Sequence, residues 1–350
     1  MKRIILFSIC VCCIFAVSCR INEDKRVLQY NESIVEINKA IIGDSSIGLI
    51  GYDDEYVYYS QVLDDCINFY KSKDDLVTEM YVSTSEVITY QEVYDGKIFL
   101  CEVEYADNMG FSVKMIDTNN VLEICGGECY GLPEVRLIGD KLVIGYSIMK
   151  NDSIIQSLQL YDLISGSGKD ILNRQYHIDE MGYVTGTLLQ SFDGFEHGIV
   201  IEEIEFNKEN MYLDETGEVK LYYYDFASGD IEKIPITTER KFTYVVGDAE
   251  YVITSDYANK EPLVDTGKIY FLQEDYDSSL IIEGIESGND IVDAYKISDD
   301  VLLIQTRLDL YVMDLNTHKY KRMEGITNVK VYGESFAYFN QNKELVKCSF

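Results

Sequence analysis

The residues whose types and spacing bear on chemistry are adjacent carboxylates, closely spaced cysteines and isolated histidines. Acidic pairs such as Asp53-Asp54 and Asp299-Asp300 supply the residue types that glycoside hydrolysis uses as acid, base or nucleophile. They recur at one point of a repeat, however, and Asp satisfies backbone donors in tight turns, so a turn role is expected of them. Cys125 and Cys129, separated by Gly-Gly-Glu, could close a small disulfide outside the cytoplasm or give two thiolates to a metal. No nearby histidine completes a metal site, so a disulfide or two free thiols is expected and no metal. Cys66, Cys101 and Cys348 sit in strand-like runs, where cysteine behaves as a small hydrophobe. His177, His197 and His318 stand alone, His318 in the polar turn Asn316-Thr317-His318-Lys319. There is no nucleophile elbow, zinc-binding His-Glu-x-x-His, phosphate loop or complete calcium loop. Neither catalytic residues nor a cofactor is therefore expected.

Cys19 offers a different chemistry. Lys2 and Arg3 precede an apolar run from Ile4 to Val17 interrupted only by Ser8, and Ala16-Val17-Ser18-Cys19 follows. The run is shorter than the roughly 20 residues that span a bilayer and has the three parts of a cleaved secretory signal. The tetrapeptide resembles the bacterial lipobox, with Ala16 where Leu is commonest. Cleavage after Ser18 would leave Cys19 to carry a diacylglyceryl group on sulfur, and two acyl chains anchor stably. The alternative is an ordinary secretory signal with Cys19 as a spare thiol. The expected organisation is a signal peptide over 1–18, a lipidated segment containing one strand over 19–46, and a single domain over 47–350. The expected location is extracytoplasmic, anchored to a bacterial membrane, inner and outer both being open.

Composition excludes one class of partner. The formal charge is -31, and loss of Lys2 and Arg3 with the leader makes it about -33. Nucleic-acid binding depends on a basic patch and is not expected. The acidic residues are spread along the chain, and such a surface keeps a protein soluble and monomeric. With 47% apolar residues and 29 tyrosines, the body can bury a large core.

Repeats set the architecture. An acidic or glycine turn leading into a dense apolar run recurs with Asp53, Asp95, Asp140, Asp193, Asp248, Asp299 and Glu334 as markers. The steps run from about 35 to 55 residues, around the 40–50 of a propeller blade. After each of the first six markers a second hairpin signal follows, as at Tyr161-Asp162-Leu163 and Met313-Asp314-Leu315, giving four strands per period. The segments are rich in β-branched and aromatic residues without helical periodicity. The fold class expected is all-β, a β-propeller of seven four-stranded blades, six or eight being the alternatives. The last period has only three strands, so Val27 to Ile37 is expected to join it as outer strand and close the ring.

In this respect the chain resembles the β-propeller lipoproteins of bacteria. Lacking tryptophan, it cannot carry the Trp-Asp dipeptide, the sialidase Asp-box or the quinoprotein repeat. The resemblance is too broad to imply an activity; with no catalytic motif found, a binding or scaffolding protein with a protein, small-molecule or glycan ligand is expected, and a carboxylate-dependent glycoside hydrolase is the alternative. Loops on a rigid scaffold concentrate binding groups. The unusual loops, Cys125 to Pro133, Asn173 to Gly182, Lys208 to Gly217 and Ala258 to Gly267, offer Tyr130, Tyr176, His177, Asp179, Tyr212, Asp214 and Lys260 as a candidate rim.

Overall fold

The computed structural model describes residues 30–35, 46–74, 76–85, 87–105, 109–118, 120–206, 217–238, 242–256, 266–271, 279–282, 289–340, 342 and 344–350, with no helix among them. After β1 (Asn31–Val35), a first sheet holds β2 (Ile47–Tyr52), β3 (Val57–Val62), β4 (Ile67–Lys73) and β5 (Leu76–Ser83). A second holds β6 (Val87–Tyr94), β7 (Lys97–Tyr105), β8 (Met109–Asp117) and β9 (Asn120–Glu128). An eight-stranded sheet follows: β10 (Glu134–Ile138), β11 (Lys141–Lys150), β12 (Ser153–Asp162), β13 (Ser167–Ile178), β14 (Val184–Phe195), β15 (Gly198–Phe206), β16 (Glu218–Asp225) and β17 (Ile231–Thr238). Next come β18 (Phe242–Gly247), β19 (Tyr251–Asp256), β20 (Thr266–Phe271) and β21 (Ser279–Ile282), then β22 (Ile291–Ser298), β23 (Val301–Thr306), β24 (Asp309–Asp314) and β25 (Lys319–Glu324). The chain ends with β26 (Lys330–Tyr332), β27 (Ser335–Phe339) and β28 (Leu345–Ser349), whose sheet is completed by β1.

This is a propeller-like arrangement, but it corrects the expected blade count. Five four-stranded sheets stand alone, not seven, because the chain from Glu134 to Thr238 forms one continuous sheet. The reason is local. β13 and β14 are each 12 residues long, and their ends overrun the ring to pair with each other as Tyr176↔Gly186, His177↔Thr185 and Ile178↔Val184.

Burial follows position within a sheet. Second strands lie between neighbouring sheets and read as unbroken apolar runs, Ile98 to Cys101 being almost wholly buried. Outer strands such as Lys319–Glu324 are largely exposed. The core therefore consists of seams between sheets. One joins Tyr251 and Ile253 to Leu302, Ile304 and Tyr311; the next joins Leu303, Leu310 and Val312 to Phe336, Tyr338 and Val346. Each fully buried large side chain contributes about 2–3 kcal/mol. Two strand glycines permit this approach. A Cβ on Gly51 would lie 2.9 Å from Val93 Cβ, and one on Gly145 2.5 Å from the buried Phe192 ring.

β1 pairs antiparallel with β28, from Asn31↔Ser349 to Val35↔Leu345, so an early strand and the last one close the ring. Tyr30 fixes the start of β1, its ring 6.0 Å from that of Phe336 and 5.9 Å from that of Phe350. The turn role expected of Asp53 is present: its Oδ1 accepts from Glu55 N and Tyr56 N, both at 2.7 Å. Asp248 does the same for Glu250 N at 2.8 Å and Tyr251 N at 3.2 Å.

A different carboxylate pins the β22–β25 sheet. Asp309 is buried, its Oδ2 accepting from Arg322 at 2.8 Å and Asn289 Nδ2 at 3.1 Å, its Oδ1 from Gly325 N at 3.1 Å. Donors from three segments thus satisfy one side chain inside one sheet.

Candidate functional site

Strands from several sheets converge on a cavity of about 840 Å³. Its walls come from β6, β10, β14, β22 and β26, with Glu92, Arg136, Asp193, Asp293, Tyr295 and Lys330 among the lining side chains. Alternation explains their placement. In segments such as Val135-Arg136-Leu137 and Val292-Asp293-Ala294, successive side chains point to opposite sides of the strand, which leaves the charged residue on the axis.

Arg136 is the hub. Its guanidinium lies 3.1 Å from Asp193 Oδ2 and 2.8 Å from Glu134 Oε1. Asp193, only 8% exposed, also accepts from Gly194 N at 2.8 Å and from the Tyr244 hydroxyl at 3.0 Å. That hydroxyl is 3.5 Å from Asp293 Oδ1. A phenol has one proton, so the shorter contact to Asp193 takes it. Asp293 is held instead by the Tyr295 hydroxyl at 2.6 Å and Ala294 N at 2.9 Å. Across the cavity Tyr90 donates to Glu92 and accepts from Leu137 N at 2.9 Å, linking β6 to β10.

The electrostatics follow from this crowding. Burial pushes the Asp293 carboxyl up to about 7, with the neighbouring Asp193 charge adding to it. Burial likewise raises Glu134 to about 7 against the pull of Arg136, and it raises Glu92. Arg136 is pushed above its ordinary value by Asp193 and Glu134 despite its own burial. Burial and the adjacent carboxylates raise the phenols of Tyr90, Tyr244 and Tyr295 well above 10. Four carboxyl groups, Glu92, Glu134, Asp193 and Asp293, thus crowd around Arg136 and Lys330, and burial raises three of them, Glu92, Glu134 and Asp293. Among the described residues no group of three or more His, Cys, Asp or Glu is arranged to hold a metal ion.

Asp193 overturns one expectation. It is not a turn residue: it lies within β14 opposite Val200 and faces the axis. Sequence reasoning missed the channel residues; the one trace they leave is a charged residue alternating with apolar neighbours, as in Val135-Arg136-Leu137, which does not by itself show that these segments meet.

Of the expected rim, Tyr130 is exposed, its backbone N donating to Ser147 O at 2.6 Å. Tyr176 is in the core. His177 Nδ1 sits 2.5 Å from the Asp152 carbonyl, and Asp179 caps a turn through Met181 N and Tyr183 N, both at 2.9 Å. Tyr212, Asp214 and Lys260 lie outside the described residues, as do Cys19 and the leader. Cys125 and Cys129 are both free thiols. Cys125 is in β9 and Cys129 directly follows it, so extended chain holds them about 13 Å apart, beyond the 7 Å limit between bridged Cα atoms. Burial pushes Cys101 and Cys125 up to about 11 and Cys348 up to about 12, which keeps them as unreactive thiols.

No family model and no curated protein matches the chain; solved structures do. An uncharacterized protein from Listeria monocytogenes is 11% identical with a TM-score of 0.51, covering 88% of this chain and 92% of that one. The β-propeller domain of the Trilobed protease from Pyrococcus furiosus is 12% identical with a TM-score of 0.50, covering 79% and 83%. An acylaminoacyl peptidase from Pyrococcus horikoshii is 11% identical with a TM-score of 0.52, covering 89% of this chain but 53% of its own. At such identities the likeness defines the fold, a β-propeller, and no activity.

Proposed function

We propose that the chain is a lipid-anchored, extracytoplasmic β-propeller of a bacterium that binds a small polar ligand in its central cavity without transforming it. In this reading the eight-stranded sheet serves as two blades, β10–β13 and β14–β17, joined by three residue pairs, so that seven first strands surround the axis. The carrying observation is the cavity itself, walled by charged and phenolic side chains from five different strands. Its carboxylates are already engaged by protein donors, which suits positioning more than proton transfer to a substrate. Thermal-shift titration with panels of oligosaccharides and organic amines tests this. A saturable shift weakened by Glu92→Gln supports the reading; no shift with either panel counts against it.

One observation favours a second reading. Asp193 and Asp293 both approach the Tyr244 hydroxyl, at 3.0 and 3.5 Å, and one is ion-paired while the other is raised, a division of roles typical of acid and base. Release of nitrophenol from aryl glycosides, abolished in Asp293→Asn, would establish the hydrolase; none is expected. The anchor has its own test. Cys19→Ala should leave the membrane fraction or remain unprocessed, and a variant processed and membrane-bound as before would refute lipidation.

A further inference from the structure

Two acids of the central cavity lack a counter-charge. Six acidic and three basic side chains line it, the same two-to-one ratio as the 61 and 30 of the whole chain, so their number alone selects no ligand. Their pairing does. Arg136 is engaged by Asp193 at 3.1 Å and by Glu134 at 2.8 Å. Lys296 lies among Asp248 at 3.5 Å, Glu250 at 3.8 Å and Asp299 at 4.0 Å. Lys330 is the remaining cation, and its charge favours ionised Glu92 without an ion pair to any described residue.

Glu92 and Asp293 are held by neutral donors instead. The Tyr90 hydroxyl donates to Glu92, and Asp293 accepts from the Tyr295 hydroxyl at 2.6 Å and Ala294 N at 2.9 Å. Asp193 and the Tyr244 hydroxyl face Asp293 from β14 and β18. A carboxylate buried with hydrogen bonds but no opposite charge keeps much of its desolvation cost, and burial raises both groups, Asp293 to about 7. What this pair lacks is a positive charge and not another hydroxyl. A neutral sugar would compete with the phenols for lone pairs. An anion would meet Glu92, Asp193 and Asp293 with Lys330 as its one open partner.

A metal ion is one source of positive charge, but among the described residues no three acids, histidines or cysteines are grouped to hold one. The space suits something larger, since about 840 Å³ falls within the range of small-molecule pockets. Tyr90, Tyr94, Tyr295 and Tyr332 belong to the wall, and phenol rings attract organic cations. Asp95, Glu196 and Asp299, exposed and directly following β6, β14 and β22, extend the lining and favour the approach of cations.

Resting on the reading of the cavity as a ligand site, we propose that its ligand is a small organic cation whose charged nitrogen sits between Glu92 and Asp293. Seating that charge ionises both acids, so near pH 6, where the empty site holds their protons, binding expels them.

Calorimetric titration of the full-length chain with choline, methylguanidine and spermidine tests this, with maltotriose, succinate and calcium chloride as neutral, anionic and metal probes. At least one organic cation should bind near pH 6 with release of protons, read from the dependence of the heat on the buffer's ionisation. Asp293→Asn and Glu92→Gln, which keep the shape of the side chains, should each weaken that binding about tenfold. If either variant misfolds, proton release by the unaltered chain still decides. Binding of maltotriose or succinate but of no cation would overturn the inference and leave the cavity a ligand site, and binding of calcium alone would do the same. A cation that binds without proton release and with unchanged affinity in both variants would be seated elsewhere, and the inference would fall. Binding of no probe would overturn the ligand reading of the cavity as well.

Discussion

Two buried carboxylate centres divide the labour of this ring differently. Asp309 sits inside one sheet, and each of its oxygens meets a donor from that sheet or its flanking turns. The axial cluster of Glu92, Glu134, Asp193 and Asp293 draws donors from five strands, and four carboxyl groups there face two cations, Arg136 and Lys330. The first centre is met by donors on both oxygens and stabilises its sheet. The second is a region where strands meet without completing one another, and there a ligand or a proton has something to add. Stability and responsiveness thus separate by location: within a sheet, polar groups can be satisfied by register; at the axis, side chains from independent sheets must share.

The largest expected effect is at the satisfied centre. Asp309→Ala removes the acceptor that Asn289 Nδ2, Gly325 N and the half-exposed Arg322 share, a loss of about 3 kcal/mol measured by urea unfolding at pH 7. A loss below 1 kcal/mol would erase the distinction drawn here.

At the axis the sign reverses. Asp293 has a raised pKa in the fold, so the folded state holds a proton that the unfolded state has released, and stability declines as pH climbs from about 4 to about 7. Asp293→Asn should therefore stabilise the protein at pH 7.5 by about 2 kcal/mol, with the difference from the parent vanishing near pH 4. Melting temperatures of both proteins across that range test the sign, and a variant less stable than the parent at pH 7.5 would show the carboxylate to be net favourable.

A smaller change sharpens the contrast. Tyr244→Phe removes one donor from Asp193 and should cost about 1 kcal/mol, while raising the midpoint of the pH-dependent stability change, since the axial charge loses a hydrogen bond. An unmoved midpoint would place Tyr244 outside the proton-sharing network.

The sheets were legible because their signals are local. Each acidic turn before an apolar run marks a hairpin, and the runs at Lys97 to Tyr105 and Glu218 to Asp225 become strands for the β-branched and aromatic content that suits a pleated, buried surface. The closing strand was legible from the missing fourth strand at the chain's end. The fusion of two units was not, since it depends on how far β13 and β14 extend past the ring. The axial cluster was hidden for a related reason. Asp193-Gly194 has the residues of a turn, and Asp53 and Asp193 look alike in sequence; only the register of β14 with β15 puts one in a turn and the other on the axis. Glu92, Arg136 and Asp293 become meaningful together once the ring brings five distant segments to one line.

The pairing of β1 with β28 has a mechanical consequence. A pull on the residues preceding Asn31, directed away from the face where β1 begins, acts along the strand, so the five residue pairs from Asn31↔Ser349 to Val35↔Leu345 resist in shear and share the load. The same strand is the latch of the ring. Force arriving through a tether would therefore be borne at the one seam where the two ends of the toroid meet, and rupture there would open the ring without first unravelling any sheet built from consecutive strands.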